Sequence, residues 1–335
     1  MHPGLTARPP FPWVGGKERL QYIIRSVFPE KTDCHAEHFG GSGSILLGLP
    51  ARPGRVEVYN DRDSDLANLM LCIRDRVIAL LDELKFFPLH SEEEFNLLVK
   101  ILNHEMIPPD FTESELEIAR IALTEEQYRV VEKILRGRAE LWDVRRAAAF
   151  YTVDRRSFNS MRTTFAMRPT RIKGFLKQIA IASQRLEGVI ITNRDFEESI
   201  RCHDGPATLH YCDPPYFDAE HMYTQPFTLR DHYRLHEVLA KCEGPRVVSY
   251  NNCPFVRELY EDNYILYFER QNSMSQKEGA KYEELLITNY DPRPILARRE
   301  EQINMFEPEA EKGKLVLVHE PHNPVTVTVP SGWGK

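Results

Sequence analysis

Short β-type runs occur toward both ends of this chain and are missing from its middle, and that asymmetry limits the available folds more than any other feature. Arg55-Val-Glu-Val-Tyr59, Gly188-Val-Ile-Ile-Thr192, Ala207–Cys212, Pro245–Tyr250, Tyr264–Phe268 and Glu284–Tyr290 read as strands, the last two as a hairpin. An amphipathic stretch, Lys17–Phe28, precedes an apolar–polar run at His35–Phe39, and Ser44–Leu49 reads as the start of a helix. From 65 to 150 the period is helical, and 151–177 is Arg- and Thr-rich and less regular. Alternating strands and helices argue for a largely parallel sheet. The organisation expected is one α/β domain, residues 1–70 and 178–291, interrupted by a mainly helical insertion at 71–177. A Pro- and charge-rich extension, 292–335, follows, with a late hairpin expected from Leu315–Val318 and Val325–Val329.

Composition excludes several classes. With 42% hydrophobic and 28% charged residues the chain is ordinary for a globular protein. No apolar run approaches the roughly 20 residues of a membrane helix, and MHPGLTARPP is no signal peptide, so a cytoplasmic protein without membrane contact is expected. The six cysteines form no CxxC pair, which predicts reduced thiols and no metal site. The net charge of -7 hides a segregation: residues 83–128 hold 3 basic against 11 acidic residues, and 129–177 hold 13 against 4. A charge run alone is most often a solvated helix face.

Two turns carry chemistry. Glu37-His38-Phe39-Gly40-Gly41-Ser42-Gly43 is a Gly-rich turn between a strand and a helix, where backbone N–H groups can approach a ligand closely. Leu46 stands where a dinucleotide fingerprint has its third glycine. Asp61 follows the next strand, 18 residues after Gly43, where nucleotide-binding α/β folds place an acid on the ribose hydroxyls. It could equally cap the following helix; with Gly41 and Gly43 the ribose reading is favoured. The second turn, Asp213-Pro214-Pro215-Tyr216, follows a strand. Its two prolines stiffen the exit and leave carbonyls unpaired. A carboxylate, a free carbonyl and a ring then converge in a way that suits a planar ligand bearing an amino group.

At these residues the sequence resembles the Dam-type DNA adenine methyltransferases, the α group of S-adenosylmethionine-dependent amino-methyltransferases. The matching segments run in the family's order across roughly residues 8–290. They are Pro12-Trp13-Val14-Gly15-Gly16-Lys17, Glu37–Gly43 (with His38 where proline is usual), Tyr59-Asn60-Asp61, Arg194-Asp195-Phe196, Asp213–Tyr216 and Glu284–Tyr290. Spacing agrees: Gly41 and Asp213 lie 172 residues apart, against about 90 for three β–α units, so an insertion of about 80 residues is needed.

The resemblance implies a Rossmann-like class I methyltransferase sheet, doubly wound, with an inserted helical target-recognition domain. It implies methyl transfer from S-adenosylmethionine to the exocyclic amino group of adenine in double-stranded DNA after base flipping, with restriction–modification as an expected setting. Asp213, Pro214, Pro215 and Tyr216 would be catalytic. Trp13, Lys17, Phe39, Gly41, Gly43, Asp61, Asp195 and Phe196 would hold the cofactor. The basic block then becomes a DNA-contacting surface through Arg155, Arg156, Asn159, Arg162, Arg168, Arg171 and Lys173, with Phe158 and Phe165 interleaved. Ser160 replaces a family glycine, so the target sequence does not carry over. Alternatives are an RNA or cytosine-amino methyltransferase and a silent DNA-binding scaffold; an oxidoreductase lacks the third glycine. In the tail, Gln302–Phe306 resembles the peptide by which bacterial replication proteins dock on the sliding clamp, a pattern more often made by an amphipathic turn.

Overall fold

The structure, a computed structural model, describes residues 2–84, 92–103, 111–141, 143–157, 164–165, 172–220, 226–271, 281–306 and 315–321. They form two compact units, one of residues 17–62 and 188–335 and one of residues 1–16 and 63–187.

The first unit is mixed α/β around an eight-stranded sheet. Its strands are β1 (Cys34–Glu37), β2 (Val56–Asn60), β3 (Ile190–Thr192), β4 (Thr208–Cys212), β5 (Arg246–Asn251), β6 (Tyr264–Gln271), β7 (Lys281–Thr288) and β8 (Val316–His319). Their order is β3-β2-β1-β4-β5-β7-β6-β8. The first five run parallel, while β7 enters antiparallel between β5 and β6. Side chains alternate across the pleat. Leu209, Tyr211 and Val247 therefore meet Ile23, Ile24, Val27 and Phe28 on one face. Cys212, Val248 and Tyr250 meet Ile200, Leu235, Leu239 and Val256 on the other. Burying each aliphatic side chain contributes about 1.5–3 kcal/mol, so a sheet covered on both faces explains the near-continuous apolar strands.

Among the described residues each strand expected from the sequence has a counterpart, and the differences have local causes. The His35–Phe39 run supplies only Cys34–Glu37. β7 begins earlier than the apolar run and stops at Thr288, because Asn289 and Tyr290 turn to tertiary duties. Asn289 accepts from the Arg246 N–H at 2.9 Å, and the Tyr290 hydroxyl donates to the Val27 carbonyl at 2.6 Å. β8 pairs with β6; Val325–Val329, its expected partner, lies outside the described residues.

The second unit is helical: Ser64–Asp75, Val77–Leu84, Glu92–Leu102, Phe111–Ala122, Glu125–Leu141, Val144–Arg156 and Ile172–Leu186. Asp63 caps the first helix by accepting from the N–H groups of Asp65 and Leu66, and Asp143 caps Val144–Arg156 through the Arg146 N–H. That last helix is buried from Ala147 to Asp154 and forms the unit's centre. The units part at 62/63 and 187/188, and residues 1–16 go with the helices. The Tyr151 hydroxyl donates to the Pro10 carbonyl, and Phe11 packs edge-on to Tyr151. Among the described residues no helix is long and apolar enough to cross a membrane.

Candidate active site

Strand register decides which residues can meet. Glu37 at the end of β1 stands level with Tyr59 of β2 and Tyr211 of β4, so the 38–43 turn, Asp61 and Asp213 all leave the same edge of the sheet. The chain goes from β1 to β2 on one side and returns at β4 on the other. Such a switch point is where open α/β sheets bind ligands.

The glycine turn is tightly built. Gly41 and Gly43 have φ of +51° and +69°, a region L-residues rarely enter. A Cβ on Gly40 would collide with the Tyr59 ring, whose hydroxyl donates to the Gly41 carbonyl at 2.7 Å. Asp61 does not cap the following helix, since Asp63 does. Instead Asp61 Oδ2 accepts the Gly41 N–H at 2.9 Å, which ties the turn to the end of β2. The N-terminus of the next helix, Ser44–Gly48, is already served by an acid: Glu37 Oε2, buried, accepts the Leu46 N–H at 2.9 Å. A pyrophosphate would have to compete with that carboxylate.

At the end of β4 both Asp213 oxygens have donors. Lys17 Nζ donates to Oδ2 at 2.7 Å, and Ser249 Oγ of β5 donates to Oδ1 at 2.7 Å. Ser249 lies 3.0 Å from the Tyr211 hydroxyl, so Tyr211, Ser249 and Asp213 form one run. Burial pushes the Asp213 carboxyl above the usual range, and Lys17 and Ser249 work against that rise. Each carboxylate oxygen retains a second lone-pair site for a ligand N–H. The Tyr216 hydroxyl donates to Glu284 on β7, and the Lys17 ammonium sits 4.7 Å from the Tyr216 ring centre. Asn251 Nδ2 donates to the Phe217 carbonyl at 3.2 Å, fixing the chain just beyond the turn.

After β3, Asp195 caps the helix Phe196–His203 through the Glu197 N–H and also accepts from Arg234 at 2.9 Å. The Phe196 ring stacks on Phe39 at 5.5 Å, with the Arg234 guanidinium 4.8 Å from its centre. Phe196 is therefore core, while Phe39 stays partly exposed.

Residues 13–274, most of the chain, match the family profile of the D12 class N6 adenine-specific DNA methyltransferases. The chain belongs to that family. Among characterised proteins, the DNA adenine methylase of Haemophilus influenzae is 22% identical over 308 residues, spanning 85% of this chain and 95% of the relative. The protein is thus an adenine-specific DNA methyltransferase, as the order of motifs implied.

In this D12-class enzyme the residues singled out from sequence are distributed unevenly. Lys17, Phe39, Gly41, Gly43, Asp61, Asp195, Phe196 and Asp213–Tyr216 all lie in the sheet unit. Trp13 lies in the helical unit, where its ring packs 6.3 Å from Phe150 and Phe11. Arg155 is half-buried over Phe175 and donates to the Pro10 carbonyl at 3.3 Å, and Arg156 is only 2% exposed. Asn159, Arg162, Arg168 and Arg171 lie outside the described residues, as does Phe158. Lys173 is on the helix Ile172–Leu186, and Gln302–Phe306 closes the helix Arg293–Phe306.

Three functional candidates were not singled out from sequence. Glu284 is the second of two acids and directly precedes Leu285-Leu286-Ile287, and Ser249 is a serine between Val248 and Tyr250. Each is a polar residue at a buried position of an apolar strand, which is the signal that could have found them. Glu37 gave the same signal at the end of β1.

Proposed function

We propose that this enzyme transfers the methyl group of S-adenosylmethionine to N6 of an adenine flipped out of double-stranded DNA, at the switch point between β1 and β4. The observation that carries this reading is the Asp213 carboxylate, held from both sides by Lys17 and Ser249 at a strand end. The sheet unit corresponds to a Rossmann-like, doubly wound class I methyltransferase domain, a reading supported by five parallel strands in the order β3-β2-β1-β4-β5. The helical unit is then the target-recognition domain.

The residues present fit the cofactor. S-adenosylmethionine carries no phosphate, so the helix N-terminus next to the glycine turn needs no vacancy for one, and Glu37 holds it. This is also why a dinucleotide oxidoreductase fits poorly. Asp61, tied to the Gly41 N–H just after β2, would stand against the ribose hydroxyls. The bound cofactor supplies an electrophilic methyl group on a sulfonium.

The adenine amino group is a weak nucleophile because its lone pair is delocalised into the ring. Asp213 and the Pro214 carbonyl would accept hydrogen bonds from its two N–H groups, so that lone-pair density turns toward the methyl group; as the N–C bond forms the sulfonium S–C bond breaks, and one N6 proton then leaves to solvent. Burial, which raises its pKa, makes the ionised Asp213 a stronger hydrogen-bond acceptor than a solvated carboxylate. Positioning and electrostatics therefore supply most of the acceleration. Tyr216, its hydroxyl anchored on Glu284, presents its face for the flipped base to stack on.

The test is incorporation of labelled methyl groups from S-adenosylmethionine into unmethylated DNA, with the modified positions mapped by sequencing. Methylated adenines in one motif are expected. An Asp213→Ala variant should lose roughly 10²–10³-fold in kcat while still binding cofactor. Turnover like wild type in that variant sinks the mechanism. Label in RNA alone, or bound cofactor with no transfer, moves the reading to the alternatives. Clamp docking through Gln302–Phe306 is a separate proposal: pull-down with a sliding clamp should weaken when Met305 and Phe306 are changed, and no loss ends it.

A further inference from the structure

A second polar cluster lies where the chain enters β4 and β5, apart from the Asp-Pro-Pro-Tyr turn and joined to the glycine turn through His38. Cys242 Sγ, His210 Nε2 and an Asp204 carboxylate oxygen lie within 4.8 Å of one another. Asp204 follows the helix Phe196–His203, His210 is the central residue of β4, and Cys242 sits in the loop before β5. The two loops are locked together. A Cβ on Gly244 would strike the Thr208 and Gly205 carbonyls, so only glycine allows this approach. Asp204 Oδ1 accepts the N–H groups of Glu243 at 3.2 Å and Gly244 at 3.3 Å, which fixes the carboxylate.

Behind the cluster runs a chain of reversible hydrogen bonds. His210 Nε2 lies 3.0 Å from Asp204 Oδ1, His210 Nδ1 lies 2.9 Å from His38 Nε2, and His38 Nδ1 lies 2.9 Å from Ser199 Oγ. With Ser199 donating, every proton points toward Asp204 and His210 carries its own on Nε2. With Ser199 accepting, both imidazoles switch tautomer and His210 presents a bare Nε2. Metal-ligating histidines are commonly oriented through their second nitrogen in this way.

We propose that Asp204, His210 and Cys242 form a binding site for a borderline divalent metal of the zinc class, with His38 and Ser199 orienting the His210 ligand. One sulfur, one imidazole nitrogen and one carboxylate oxygen are the donor types zinc accepts, and a water can complete four-coordination. Charge is balanced, since thiolate and carboxylate together neutralise a dication. Binding exchanges the Cys242 thiol proton, now directed at the Val238 carbonyl at 3.3 Å, into solvent. The two imidazoles gain and lose one proton each and stay neutral. Tying these two loops makes the metal a staple for the sheet rather than a participant in methyl transfer.

Cobalt(II) is the probe, added to the full-length reduced protein after chelator treatment. One equivalent should bind with tetrahedral d–d bands and a sulfur-to-cobalt charge-transfer band, and one equivalent of zinc should displace it. Zinc should also raise the thermal midpoint. Cys242→Ser, outside the catalytic turn, should abolish the charge-transfer band and leave metal-free methyl transfer unchanged. His38→Asn, which keeps all three ligands, should weaken cobalt binding by about 10–100-fold. Binding without a charge-transfer band, or with one that survives Cys242→Ser, overturns the site, as does the absence of stoichiometric binding. None of these outcomes bears on the methyl-transfer reading, which the labelled-DNA assay tests by itself.

Discussion

Two ion-pair centres in the sheet unit handle charge in opposite ways. Lys17 and Asp213 are a pair with side chains 5% and 18% exposed, and the Asp213 carboxyl nevertheless sits above its ordinary range, because burial outweighs the ammonium. Arg234 gathers Asp195, Glu197 and Asp231 in a more open setting. There Glu197 is lowered chiefly by hydrogen bonds from Arg201 and Arg234. Asp231 is lowered too, with bonds from Thr228 and Arg234 overcoming its desolvation. The difference teaches which centre can do chemistry. A fully satisfied, solvated network fixes structure, whereas a buried carboxylate held against its solvation preference has interaction energy available to a ligand.

The contrast breaks most visibly at Lys17. Replacing it with methionine keeps the bulk and removes the charge, leaving Asp213 buried without its cation. Breaking a buried pair costs about 3–5 kcal/mol, and protonation of Asp213 sets a limit on that cost. The sign of the pH effect follows. Lys17 opposes the rise in the Asp213 pKa, so without it the protonated form persists to higher pH. The acidic limb of the kcat profile should therefore move upward in Lys17→Met and much less in Lys17→Arg. An acidic limb at the same pH in all three proteins would mean that Asp213 ionisation does not limit turnover.

Ser249→Ala is the next largest effect. The change removes the donor to Asp213 Oδ1 and leaves the buried Tyr211 hydroxyl without that partner. Leaving a buried polar group unpaired costs about 1–3 kcal/mol of stability. If Ser249 orients Asp213, kcat should fall about tenfold or more with little change in the KM for cofactor, and Thr should rescue more than Ala. A purely structural serine would lower the denaturation midpoint while kcat stays at the wild-type value.

How much of this was legible beforehand depends on the distance over which each feature is encoded. The strand exits were legible, because a two-residue period and a following turn are local signals; Asp61 and Asp213 were found that way. The partners of those residues were not. Asp213 is served by Lys17, 196 positions away, and by Ser249, 36 positions away, and no local periodicity reports such pairings. For Asp61 the alternative of a helix cap fell away because Asp63, two residues on, takes that place. Charge was the weakest guide. A basic block counts residues without regard to direction, so it could not reveal that Arg156 turns inward and Arg155 lies along Phe175. His38 carried a signal that went unused: an imidazole in the place of a usual proline acquires meaning only through His210, across the strand pair.

Arg234→Gln sharpens the comparison from its solvated side. The guanidinium is about one-third exposed, so solvent screens its attraction and the whole network contributes about 1 kcal/mol at neutral pH. Glu197 and Asp231 have folded-state pKa values below their unfolded ones. Their stabilisation is present above the ordinary carboxylate range and is lost as pH falls through the lowered values. Wild type and Arg234→Gln should thus differ in chemical denaturation at pH 7 and converge as pH falls through those lowered values. Asp213 differs in sign, since its raised pKa costs stability as pH climbs through it, but Lys17 attracts only the ionised form, so the Lys17→Met difference also shrinks on acidification and does so at higher pH than the Arg234→Gln difference. Denaturation midpoints of both variants, followed from pH 7 down past the ordinary carboxylate range, separate the two behaviours. If the Arg234→Gln difference stays constant over that range, the network acts by packing on Phe196 rather than by charge.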